Sequence, residues 1–298
     1  MILATDHDGP YPLIPITCNA DLDFADHNSD IALWLADEVA LTHNVVIRAL
    51  NSIWLNAPLV LQGDEPYFVG YALACLLFVR EYHRAQEEIV FPHLQTQLDM
   101  RSNVVDHLAF EAPLKQFESY LERVRDGAEK YDVETVLARR SEVGNMMVQH
   151  FHDEVEFLAP GQLRGFCNED LEKMLNDMEE HNKKIRQSAT LLSFIVTNHR
   201  REDAVHWASS RLKEESAKTD RTSLAHYEYL AEVDWPSYRA TSTPWILEVF
   251  AIYHDWGASK SIPTSGPIKP IYAGGFNDRI RSKQRLSVVL HARVYRTP

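Results

Sequence analysis

Two segments of the 298-residue chain pair a histidine with a glutamate four positions on, His83-Arg84-Ala85-Gln86-Glu87 and His150-Phe151-His152-Asp153-Glu154. An i, i+4 spacing sets both side chains of each pair on one helix face. Both faces are otherwise apolar. Leu76 and Val79 precede His83, and Val90 and Phe91 follow Glu87; Val143 and Met147 precede His150, and Phe157 and Leu158 follow Glu154. An imidazole or carboxylate turned into a core is costly unless something pairs with it, and a metal ion is the simplest partner. Two more histidines sit on apolar faces. His43 has Val39 before it and Val46, Ile47 and Leu50 after it; His107 lies between Val104 and Leu114, with Glu111 one turn on. Any one such histidine is more often a hydrogen-bonded core residue than a ligand. Four of them on four helical segments, two with a glutamate alongside, point to a metal site, and imidazole with carboxylate suits iron, less often manganese or zinc.

The elements that must position these residues read as helices. Apolar residues recur at helical spacing from Ile31 to Asn56, ahead of Ala57-Pro58. A second helix is expected from about Pro66 through Phe91, where Pro92 ends or kinks it; a third from about Asn103 to Asp126, stopping near Gly127; a fourth from about Val133 to Leu158, stopped by Pro160-Gly161. Pro113 should kink the third or mark its true start. Four such helices joined by short breaks describe an all-α, up-down-up-down four-helix bundle over residues 31–160. Residues 1–30, with Pro10, Pro12 and Pro15, read as an extended arm wrapping the surface. Residues 161–298 form a C-terminal extension, helical at first and then irregular where Gly and Pro crowd in, ending in a basic tail read as solvated. His93 and His152 fall off the ligand faces, and His181, His199, His206, His226 and His254 lack a paired carboxylate, so these are read as surface or structural residues.

Composition bounds the partners. Apolar residues at 45% and charged residues at 24% fit a folded globular chain. A net charge of −13 argues against nucleic acid, which needs clustered positive surface. Three scattered cysteines, Cys18, Cys75 and Cys167, fit a reducing compartment, with Cys75 read as a buried apolar residue. The opening residues lack a basic segment ahead of an apolar run, and the longest apolar run is too short for a bilayer, so a cytoplasmic protein without membrane contact is expected.

Taken together, Leu41-Thr42-His43-Asn44, Tyr82-His83-Arg84-Ala85-Gln86-Glu87-Glu88-Ile89-Val90-Phe91-Pro92 and His150-Phe151-His152-Asp153-Glu154 make residues 10–160 resemble the hemerythrin-like HHE cation-binding domains, in particular fungal ones with a long C-terminal extension. The resemblance implies two iron ions and dioxygen as cofactors, with metal ligands at His43, His83, Glu87, His107, His150 and Glu154. One iron would take His107 and His150, with or without Glu111, the other His43 and His83, and Glu87 and Glu154 would bridge ions about 3.5 to 4 Å apart. The chain departs from the family where Tyr82 precedes His83, where Gln86 replaces a common acid, and where Glu111 stands in place of a second third-helix histidine. Glu111, as ligand, proton acceptor or bystander, is the candidate catalytic residue. The functions implied are a di-iron oxygenase or oxidase acting on a small organic substrate, or a non-catalytic binder or sensor of dioxygen or iron. The aromatic residues of the extension lean toward the enzyme, as a roof over a substrate pocket.

Overall fold

Asp30 opens the first long helix: its carboxylate accepts from the Leu33 amide at 3.2 Å, satisfying one of the orphaned donors of the first turn. The structure, a computed structural model, describes residues 9–16 and 30–198. Helix α1 spans Ile31–Asn56, α2 Glu65–Ala85, α3 Phe91–Leu94, α4 Arg101–Arg125, α5 Val133–Phe157, α6 Pro160–Leu163, α7 Asn168–Gln187 and α8 Ala189–Asn198. Among the described residues the fold is all-α, with no strand and no helix long and apolar enough to cross a membrane.

The second helix is not continuous through Phe91. After Ala85 the chain makes a π-helical turn, Gln86–Val90, before α3, with the Phe91 amide bonded to the Gln86 carbonyl, five residues back. Pro92 explains the widening: it has no N–H to give, and in an unbroken α-helix its ring would strike the Glu88 carbonyl. Pro113, by contrast, neither starts nor ends α4, which runs through it. Buried Phe110, Leu114 and Phe117 anchor the helix on both sides of the missing hydrogen bond. Gly127, at φ 72°, follows α4 in the left-handed conformation, while the Asp132 carboxylate caps α5 by accepting from the Thr135 amide at 2.8 Å.

Helices α1 and α4 each pack against both α2 and α5. Their inner faces form one apolar cluster that includes Leu50, Phe68, Phe117, Met147 and Phe151. A second cluster joins the start of α1 (Ile31, Leu35) to Phe91, Leu94, Leu158, Leu163 and the α7 residues Leu171 and Met174. Residues 161–198 thus share the core rather than standing apart from it: Phe194 of α8 is fully buried against Phe78, and the Tyr71 hydroxyl donates to Asn198 Oδ1 at 2.6 Å. Cys75 is buried as expected, and burial pushes its thiol up to about 12.

The arm at residues 9–16 runs in an extended course with Pro10, Pro12 and Pro15 exposed, while Tyr11 and Ile14 reach into the main core. Two asparagine side chains pin it to α1 in the manner of a strand. Asn51 accepts from the Tyr11 amide at 3.1 Å and donates to its carbonyl at 2.8 Å; Asn44 does the same for Ile14, at 2.8 and 2.9 Å. Buried Arg140 lies over the Tyr11 ring, 4.0 Å from its centroid, and donates to the Leu50 carbonyl at 2.9 Å. The rest of the arm, Cys18, and everything read beyond residue 198, including His199, His206, His226 and His254, the aromatic roof and the basic tail, lie outside the described residues.

Candidate metal centre

His83 from α2, His107 from α4 and His150 from α5 come together where the two apolar clusters meet. All three are buried, and one ring nitrogen of each lies within 4.8 Å of the others. Phe91, Phe110 and Phe151 pack around them, with centroids 5.3 Å from His107, 4.9 Å from His83 and 6.0 Å from His150 respectively. His83 and His107 stack at 4.2 Å.

Carboxylates fix which nitrogens face inward. Glu87 Oε1 is 2.8 Å from His107 Nδ1, and Asp106 Oδ2 is 3.4 Å from His150 Nδ1. A carboxylate is an acceptor, so each Nδ1 carries the proton. With both rings neutral, the two Nε2 atoms point lone pairs at each other across 3.1 Å, an arrangement that a cation between them would relieve. Two nitrogens bound to one ion at about 2.0–2.1 Å sit about 3 Å apart, and imidazoles held from behind by carboxylates are the usual setting of a bound metal. Nε2 of His83 is also buried with no hydrogen-bond partner. The donor set therefore fits a metal ion. Burial lowers the pKa of His43 and His150 and sends that of His83 well down, the last helped by neighbouring His107, His150 and His43, so these rings are neutral and able to ligate near pH 7.

His43 sits outside this trio, stacked on Phe151 at 4.1 Å, and faces Glu154 instead. Glu154 is buried in the core with Oε2 3.1 Å from His43 Nε2 and 3.7 Å from His150 Nε2, so it lies between the two parts of the site. Gln86 donates to the other oxygen, Oε1, at 2.8 Å, and to the Tyr82 hydroxyl at 3.1 Å; that hydroxyl is 3.4 Å from His43 Nε2. Burial would raise the Glu154 carboxyl, but the close contact with His43, then His150 and the Gln86 amide, hold it below its ordinary value. The phenol of Tyr82 goes the other way, raised well above its usual range by burial and by the charges of Glu154 and Glu38.

Three expectations are corrected. Glu111 does not join the histidines but is exposed on α4. Glu87 does not turn inward with His83; its side chain is 45% exposed and backs His107 from outside. The π-helical turn separates the pair and puts Gln86, one turn after Tyr82, on the inner face. His83 groups with His107 and His150 rather than with His43. His93 reaches the Asp177 carboxylate at 3.2 Å, away from the cluster. Sequence reasoning missed Asp106 as a partner, and nothing in its spacing marks it, because the contact crosses from α4 to α5. Tyr82 and Gln86 did carry a signal: both occupy positions where the chain departs from the pattern it resembles.

No protein-family profile matches the chain, and no solved structure matches it. The chain is similar to the dimeric xanthone biosynthesis cluster protein R11 of Cryptosporiopsis sp. (strain 8999), with 25% identity over 178 residues. The alignment covers 58% of this chain and 65% of that protein, so the similarity reaches less than two thirds of the relative.

Proposed function

We propose that the chain is a hemerythrin-like, up-down-up-down four-helix bundle holding two non-haem irons, and that it activates dioxygen to oxidise a small organic substrate. The observation that carries the reading is the facing pair of Nε2 atoms of His107 and His150, 3.1 Å apart, each ring held from behind by a carboxylate. His83, His107 and His150 hold one iron. His43 holds the other, with Glu154 reaching toward both positions. Bound there, the irons supply the electrons that reduce dioxygen. The chain keeps His43, His83 and His150 neutral, surrounds the cluster with Phe91, Phe110 and Phe151, and excludes bulk water. The relative's name places it in a dimeric xanthone biosynthesis cluster, and xanthones are aromatic ketones; that likeness supports an aromatic substrate for this chain.

A non-catalytic dioxygen or iron binder is the second reading, favoured by the exposure of Glu111, which leaves a buried set dominated by histidines. Anaerobic loading with ferrous iron followed by air decides between them. Loading to about two irons per chain, with oxygen consumption that rises on adding an aromatic phenol or ketone, is the expected result. A colour change reversed by removing oxygen would sink the oxygenase reading. Much less than one iron per chain would sink the metal centre itself.

A further inference from the structure

His43 Nε2 is faced by two oxygens at once, Glu154 Oε2 at 3.1 Å and the Tyr82 hydroxyl at 3.4 Å. One imidazole nitrogen cannot serve both. With its proton on Nε2 the ring donates to Glu154 at 3.1 Å and leaves the phenol only a long contact at 3.4 Å; with Nε2 bare it accepts from the phenol and repels the carboxylate. A cation beside Nε2 would satisfy both oxygens, and each stands from Nε2 at close to the roughly 3 Å that separates atoms sharing an ion at about 2.0–2.2 Å. We propose that Tyr82 is a metal ligand, its phenolate oxygen completing the second position beside His43 and Glu154. This rests on the iron-binding reading above.

Gln86 prepares the site. Its amide nitrogen donates to Glu154 Oε1 at 2.8 Å and to the Tyr82 oxygen at 3.1 Å, which brings carboxylate and phenol to the same side of His43 and leaves a donor for the phenolate once formed. Tyr82, His43, Gln86 and Glu154 are all buried, so the phenol cannot lose its proton to an exposed neighbour; metal uptake releases it to solvent as the iron–oxygen bond forms. The two positions then differ in kind. The trio of His83, His107 and His150 is all nitrogen, whereas the second position has one nitrogen and two anionic oxygens, a harder set that favours ferric iron.

A phenolate on ferric iron gives an intense visible charge-transfer band with phenolate ring modes in resonance Raman. The full chain, loaded with ferrous iron and oxidised, is expected to show both; Tyr82→Phe should lose both while keeping the iron of the all-nitrogen position. Tyr71→Phe, which removes another buried α2 hydroxyl, should leave the band in place. If Tyr82→Phe does not fold, Gln86→Leu serves instead. It removes the donor to the phenolate, and the band should move. Iron bound without a phenolate band, a band that survives Tyr82→Phe, or one that does not move in Gln86→Leu overturns the assignment and leaves the proposed function standing. Failure of the full chain to bind iron overturns both.

Discussion

At the scale of single residues, the carboxylates behind the histidines are as open to test as the histidines. Glu87→Gln and Asp106→Asn leave the rings in place but remove the charge that fixes each Nδ1 proton; loss of such partners weakens metal affinity by about 10–100-fold, and competition with a chelator should measure a drop of that size. Gln86→Leu leaves Glu154 buried without its amide donor, a loss of about 1.5–3 kcal/mol for a hydrogen bond to a charged group, to be read as a lower urea midpoint of the metal-free protein. The pH dependence has a definite sign. His43, His83 and His150 have folded pKa values below their unfolded value of about 6.5. Between those values the unfolded chain binds more protons than the folded one, so metal-free stability should hold above about pH 6.5 and fall as pH drops below it. A urea midpoint that stayed flat from pH 7 to pH 5.5 would contradict the neutral burial of these rings. Acid should also release metal, since ligand nitrogens must be unprotonated.

At the scale of elements, the close approach of arm and α5 gives a sharper test than any helix end. A Cβ on Gly144 would meet the Tyr11 ring and hydroxyl at 2.6–2.9 Å, and that ring is held by Arg140 and by a 2.7 Å hydrogen bond to Asn145. Gly144→Ala should therefore cost about 1–3 kcal/mol by overpacking, lowering the thermal midpoint. The helices themselves were readable, because apolar spacing and the stops at Pro58, Gly127 and Pro160 are local signals: α1 is where periodicity puts it, and α5 ends one residue short of the expected Leu158. Which face a residue occupies was less readable. The i, i+4 rule holds for His150 and Glu154 because α5 is regular there, and fails for His83 and Glu87 because Pro92 widens the turn after Ala85. A proline acting upstream through a π turn rotates the face by an amount that residue spacing does not carry. How the arm is fastened was unreadable for a related reason: it depends on Asn44 and Asn51, polar residues of α1 whose partners are 30 and 40 positions away.

At the scale of the whole molecule, the described extension is part of the fold. Phe194→Ala on α8 should cost about 3–5 kcal/mol, as for other buried phenylalanines, because the ring fills the main core against Phe78; a change within about 0.5 kcal/mol in denaturant unfolding would mean that α8 is a loose appendage. The same scale shows how far the site reaches. His43 faces Glu154, and the next residue, Asn44, grips the backbone of Ile14 through both amide and carbonyl. Anything that immobilises the His43 ring also steadies the turn of α1 to which the arm is fastened, and by reciprocity a fastened arm favours the occupied ring. The peptide bonds around Ile14 thereby become a gauge of occupancy: if the proposed metal binds, a protease should nick them more slowly as it is added, and a chain cut there should release it sooner.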